Sequence, residues 1–185
     1  GAVDHTGREL LPPRYDSFSP VSGNFIKLIA GEGKCLLYSV PCRRVITGGE
    51  YQDFYAFSKK YIIAKKERQL GLLDWCGEVV LSPQYAEIQS YHGPLFRVNY
   101  RGKWGVVTAG DQPRIPFQYD YIAPLRGGIC LVKDGRFYGI ANFRGEEVVE
   151  PVYDRVELLD HRAKAYKVDD SGRETLRLLH FDEEG

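Results

Sequence analysis

The chain has 185 residues, 43% hydrophobic and 27% charged, a globular balance too apolar for a disordered segment. At this size a chain buries about 70% of its unfolded surface and needs neither metal nor disulfide to fold. Lys+Arg and Asp+Glu are 25 each, so there is no net positive field to draw nucleic acid or an anionic membrane, and no run approaches the roughly 20 apolar residues of a membrane span.

Elements recur along the chain around a tyrosine anchor. Tyr15 comes first, with Leu10, Leu11 and Pro13 ahead of it, Phe18 three places after it and Leu28 thirteen places after. Tyr51 follows 36 residues on, with Ile46 ahead and Phe54, Ala64 and Gly71 behind. Tyr85, Tyr119 and Tyr153 then come at steps of 34 residues. Tyr85 carries Val80, Pro83, Ile88, Val98 and Gly105, while Tyr119 carries Ile115, Pro116, Ile122, Val132 and Gly139. Tyr153 carries Val148, Val149, Pro151, Val156 and Tyr166, after which its register is lost through an insertion near 169–172. Cys35 stands where the second to fourth units have Gly71, Gly105 and Gly139. Agreement at so many offsets marks five tandem repeat units in a single repeat domain, 1–185.

Helical hairpins share a period of this length, so local chemistry decides the class. The apolar segments are short, rich in Val, Ile, Tyr and Phe, and alternate, as in Leu95-Phe96-Arg97-Val98-Asn99. Arg101-Gly102, Asp134-Gly135 and Ala109-Gly110-Asp111 between them are turn sequences. A Pro repeated at one place suits a strand entry or bulge and would break a helix. The third unit reads as three antiparallel strands: 78–88 bent at Pro83, 95–100, and 104–108. The expected fold is therefore all-β, five three-stranded units of about 34 residues stacked over one core. An open twisted array is favoured over a closed ring of the β-propeller kind, with the charged tail 182–184 shielding one end.

Tyr100-Arg101-Gly102-Lys103-Trp104-Gly105-Val106-Val107, followed by Gly110, Ile115, Pro116 and Gln118-Tyr119-Asp120, resembles the WG repeat of bacterial proteins. Arg136-Phe137-Tyr138-Gly139-Ile140, then Gly145, Pro151 and Tyr153-Asp154, is similar to it in the fourth unit. The second unit keeps Gly71-Leu72-Leu73-Asp74 with Leu70 in the Trp place, and the first has Lys34-Cys35 in place of the Trp-Gly pair. The resemblance implies a β-rich repeat and brings no catalytic residues. The physics of the motif is that of packing: Trp104 and Tyr138 cover an adjoining unit, and the glycine after each lets a neighbour approach. The anchor tyrosines bury their rings and satisfy their hydroxyls on nearby backbone. Asp16, Asp120 and Asp154, next to anchors, cap turns.

Residues that could carry chemistry are scattered. His5, His92, His161 and His180 lack metal spacing, and no phosphate loop or dinucleotide fingerprint is present. Cys76 reads as a turn residue, unrelated to His92. Cys35 and Cys42 can face each other across a hairpin in an oxidising compartment, but the preferred reading makes all four cysteines small buried hydrophobes. No cofactor and no metal are expected. Absence of Met argues that a leader was removed, which favours export to the periplasm or cell surface.

Aromatics outside the repeated positions are the candidate partner contacts: Tyr55, Tyr91, His92 beside it, and Tyr121. The expectation is a non-catalytic interaction module for an unknown protein or peptide. A carbohydrate- or cell-envelope-binding module is the alternative, and nucleic acid is not an expected partner.

Overall fold

A computed structural model of the chain describes residues 1–3, 5–159 and 162–181; the tail 182–184 and His161 lie outside the described residues. The chain forms two compact bodies, Gly1–Tyr85 and Ala86–Gly185. Both are all-β: among the described residues the single helical turn is the 3-10 segment Gly31–Gly33.

The N-terminal body opens with a short antiparallel pair, β1 (Ala2–Val3) and β2 (Glu9–Leu11). Its first full sheet is β3 (Ser17–Ser22), β4 (Phe25–Ala30), β5 (Lys34–Ser39) and β6 (Arg44–Val45), in chain order across the sheet. Its second is β7 (Asp53–Ala56), β8 (Tyr61–Lys66), β9 (Gln69–Asp74) and β10 (Val79–Tyr85). The C-terminal body has a third sheet of β11 (Glu87–Ser90), β12 (Leu95–Tyr100), β13 (Lys103–Thr108) and β14 (Pro113–Tyr119). The fourth is β15 (Tyr121–Ile122), β16 (Ile129–Asp134), β17 (Phe137–Asn142) and β18 (Glu147–Tyr153). A fifth, three-stranded sheet holds β19 (Arg155–Leu159), β20 (Arg162–Val168) and β21 (Glu174–His180). Every pairing is antiparallel.

The three strands expected per repeat are all present, but the bent one is shared between sheets. Segment 78–88 divides after Tyr85 into β10, paired with β9, and β11, paired with β12. Segment 113–122 divides in the same way after Tyr119. Each division adds a fourth strand to the sheet before it, so four of the five full sheets have four strands. The residue after each anchor locks the change of sheet with one backbone bond. Asp16 donates to Ile29, Gln52 to Lys65, Ala86 to Asn99, Asp120 to Lys133 and Asp154 to Tyr166, at 2.8–2.9 Å.

The repeated Gly and Pro meet across the last two strands of a sheet. A Cβ on Gly71 would stand 2.8 Å from the Leu81 carbonyl and 2.9 Å from Pro83 N. On Gly139 it would stand 2.5 Å from the Val149 carbonyl and 2.7 Å from Pro151 N. Ladder register slips at these sites, as at a bulge, and Pro brings no N–H that the slip would strand. On Gly105 a Cβ would meet the Phe117 ring at 2.5 Å and the Ile115 carbonyl at 2.9 Å. Gly1 makes the same approach to the Leu11 carbonyl, so β1 and β2 repeat the geometry of a third and fourth strand.

Sheets inside each body stack face to face, so central strands are buried on both sides. Phe25, Leu37, Tyr51, Phe54, Ile62 and Leu73 join the first sheet to the second. Val106, Tyr119, Ile122, Cys130 and Ala141, with Trp104 against them, join the third to the fourth. Ile140, Tyr153, Val156, Ala163 and Ala165 join the fourth to the fifth. The position thirteen after the anchor is fully buried as Leu28, Ala64, Val98 and Val132. In the fifth repeat that place belongs to Ala165, not to Tyr166: Val156 pairs with Ala165, while Ile122 pairs with Val132. The hairpin there is one residue shorter. The expected insertion is seen beyond it, as a wide turn between Val168 and Glu174 held by Asp169, which accepts from Ser171 N and Arg173 N. Phe18 also departs from its repeat position, being 49% exposed where Phe54 is 3%. No helix among the described residues is long and apolar enough to cross a membrane.

Candidate functional site

In each body one pair of successive sheets is tied by side chains at equivalent repeat positions. In the N-terminal body Lys27, on the middle strand β4, donates to Asp53 Oδ1 at 3.0 Å on β7 of the next sheet. Phe54 N donates to the same oxygen at 2.8 Å. Burial would raise the Asp53 carboxyl, but these two donors outweigh it and hold the group below its ordinary value. Lys27 is raised in turn by its bond to Asp53. Tyr55 stands beside the pair, exposed, its phenol raised by burial of its oxygen and by the Asp53 charge.

Arg97 is the counterpart of Lys27 in the C-terminal body, twelve places after its anchor, and Tyr121 is the counterpart of Asp53, two places after the next. Here the tie is cation to aromatic. The guanidinium lies 5.1 Å from the Trp104 ring centre of its own sheet and 5.5 Å from that of Tyr121 on the next. It donates to the Ile122 carbonyl and to Gln89 Oε1, and Gln89 donates to Glu87. A second tie uses the motif's Lys and Asp. Lys103 Nζ donates to Asp120 Oδ1 at 2.7 Å and lies 3.4 Å from Asp134, while Asp120 Oδ2 takes Gly135 N at 2.7 Å. Hydrogen bonding from Lys103 and Gly135 lowers the Asp120 carboxyl. Turn capping by Asp120, and by Asp154 on Val168 N at 2.9 Å, is as the sequence suggests.

Three anchor hydroxyls bond side chains. Tyr119 donates to the Glu147 carboxylate, Tyr85 takes Gln84 Nε2 at 3.2 Å, and Tyr153 takes Arg177 at 3.4 Å. Burial, then Glu147, pushes the Tyr119 phenol well up.

Of the four sequence candidates, Tyr55 and Tyr121 are 42% exposed on first strands of their sheets, and His92 is exposed in the β11–β12 turn. Tyr91 turns inward against the core that contains Cys130 and Val106. Its hydroxyl is buried beside Cys130, and burial, then Cys130, pushes the phenol up. Tyr121 is brought to Arg97 and Trp104, a grouping that sequence reasoning missed. Cys35 is buried in the core and Cys42 does not face it; the Cys42 Sγ lies 3.5 Å from that of Cys76 instead.

A cleft of about 470 Å³ opens in the N-terminal body between the β3–β4 and β7–β8 turns. Ser22, Gly23 and Asn24 form one wall, and Ala56, Phe57, Ser58 and Lys59 the other. Asn24 Nδ2 bridges to the Lys59 carbonyl at 2.7 Å, and the Ser22 hydroxyl is buried with no partner.

No curated protein matches the chain. Among solved structures it is similar to the computationally designed Ika4 protein, at 11% identity over 68% of this chain and 88% of that one, TM-score 0.39. It is similar also to Kluyveromyces lactis Hsv2 (12%, 91% of this chain and 62% of that one, 0.37) and to a eukaryotic initiation factor (11%, 91% and 55%, 0.40). The chain spans less than two thirds of the latter two, and likeness this slight bears on neither fold detail nor function. The family model described as WG containing repeat matches residues 1–27, 77–104 and 108–135, each segment holding one anchor: Tyr15, Tyr85 and Tyr119. With the tyrosine register and the Lys103 and Trp104 ties described above, these matches identify WG repeats at three places in the chain.

Proposed function

We propose that the chain is a non-catalytic interaction module that binds a protein or peptide partner through the turns joining first and second strands. The observation that carries this is the cleft between Ser22–Asn24 and Ala56–Lys59. Its size lies within the range of about 300–1,000 Å³ of ligand-binding clefts. Backbone groups of two turns offer hydrogen bonds to an extended main chain, while Phe57 offers an apolar seat for a side chain. Tyr55, on the strand entering the second turn, extends the aromatic surface. In the C-terminal body the matching turn presents His92, and Tyr121 adds an exposed ring.

A peptide array probed with the purified protein tests this reading, followed by titration of the best binder. Phe57→Ala and Tyr55→Ala are expected to weaken binding in steps with the β spectrum unchanged; Tyr121→Ala and His92→Ala probe the second body in the same way. Saturable binding to a glycan array, competed by free sugar, with no peptide bound, would replace this reading by the carbohydrate one. Turnover on a substrate panel that Cys76→Ser or His92→Ala abolishes would end it.

A further inference from the structure

Cys42 and Cys76 each stand nine residues before an anchor, Tyr51 and Tyr85, and so occupy one position counted back from the anchor that follows. Cys42 lies in the turn after β5, and Cys76 in the turn between β9 and β10. Stacking of the first sheet on the second sets these turns together and leaves the two Sγ atoms 3.5 Å apart, both half-buried. The backbone around them is pinned. Asp74 Oδ1 takes Cys76 N at 2.8 Å and Glu78 N at 2.9 Å, Ser39 Oγ takes Cys42 N at 3.3 Å, and Arg44 reaches the Cys76 carbonyl at 3.4 Å. Gly77, at φ +92°, has no space for a Cβ, which would stand 2.6 Å from the Ile46 carbonyl. The next residues at this position are Gly110 and Arg144, so the repeat supplies a thiol at two consecutive turns and then stops.

We infer that Cys42 and Cys76 are a disulfide-forming pair that fastens the first sheet to the second when the protein meets a low-molecular-weight disulfide. The sulfurs need to close by about 1.5 Å to reach bonding distance, a movement within reach of side-chain rotation. One cysteine loses its proton and attacks the small disulfide, giving a mixed disulfide and releasing one thiolate. The other then loses its proton and attacks the protein-bound sulfur, forming the Sγ–Sγ bond and expelling the second thiolate. The protein gives up two protons and two electrons, and the small disulfide is reduced to two thiols. The hydrogen bond with Cys42, ahead of burial, raises the Cys76 thiol, opposite to the lowering that marks an exchange catalyst. Its bond is structural, closing a long loop across two sheets.

The test is peptide mapping with intact mass after equilibrating native protein in graded mixtures of oxidised and reduced glutathione. Two hydrogens should be lost in one step from a monomer, with the Cys42 and Cys76 peptides joined and Cys35 and Cys130 free. The denaturant midpoint should be higher for oxidised than for reduced protein, and Cys76→Ser or Cys42→Ala should remove that difference and trap a glutathione adduct. Four free thiols across the redox range would overturn the inference, as would a bond to Cys35 or Cys130 or a bond between two chains. The mapping on unsubstituted protein decides the matter even where a variant fails to fold.

Discussion

The two bodies solve one problem with different chemistry. In each, a base on a middle strand must reach the first strand of the next sheet, two places after an anchor. The N-terminal body uses Lys27 and Asp53, a short ion pair whose side chains are 29% and 33% exposed. The C-terminal body uses Arg97, whose guanidinium lies near both the Trp104 and the Tyr121 rings. What differs locally is the residue nineteen places after the anchor, Lys34 in the first repeat and Trp104 in the third. Where the large ring is present, it makes a platform that a planar guanidinium covers, and the partner can be another ring. Without the ring the tie needs an opposite charge. The Trp of the motif is thus more than core filler: it decides which chemistry joins neighbouring sheets.

The largest expected effect attacks what the bodies share. Gly139→Val must force Val149 and Pro151 apart and should cost on the order of 3 kcal/mol. Gly71→Val makes the same test in the N-terminal body against Leu81 and Pro83. Urea midpoints unchanged by both would mean that the Gly–Pro approach is incidental to the repeat. Gly135, whose Cβ would meet nothing within 4 Å, is the contrasting site: Gly135→Asn keeps its left-handed backbone accessible and should cost little.

Trp104→Ala comes next. The ring packs on the Val106, Tyr119 and Cys130 core yet is only half-buried, so a loss of about 3 kcal/mol is expected, the low end for a large aromatic. Trp104→Leu, which installs the residue that the second repeat has as Leu70, should lose less. Equal losses for the two would show that packing counts for little beside the stacked guanidinium. A neutral Trp104→Ala would remove the ring from the account of the fold and make it a candidate ligand contact.

Much of this was legible in the chain because repeats print local chemistry several times over. Period, strand class, turns, buried positions and the Gly–Pro pairing each recur at fixed offsets. Assignment of the bent strand to two sheets was not legible, because one continuous apolar run looks the same whether its halves pair together or apart. Tyr91 was misleading for another reason. It breaks the pattern of residue type but not of place, since Phe57, Tyr91 and Leu125 all stand six after an anchor. The size common to that position was the available signal that Tyr91 points inward. The Arg97–Tyr121 and Lys27–Asp53 ties depend on how stacked sheets are offset, which no run of sequence states. By contrast Cys42 and Cys76 each stand nine residues before an anchor, a match of place that the sequence itself prints.

The smallest effect separates the two ties directly. Double-mutant cycles with Lys27→Ala and Asp53→Ala, and with Arg97→Ala and Tyr121→Ala, should each give a coupling of about 0.5–1 kcal/mol near neutral pH. Their pH profiles should differ. Asp53 is lowered in the folded chain, so its contribution is full above the unfolded carboxylate value and is lost as pH falls through the lower folded one. Lys27 is raised, so its contribution is full below the unfolded amine value and is lost as pH rises through the higher folded one. The N-terminal coupling should therefore hold through the neutral range, fade at both extremes and shrink with salt. The guanidinium–aromatic tie contains no carboxylate, so the C-terminal coupling should stay flat into acid. An acid-sensitive Arg97–Tyr121 coupling would show that Glu87, reached through Gln89, is the true counter-charge. Both bodies would then use one ionic chemistry, and the Trp platform would no longer explain the difference between them.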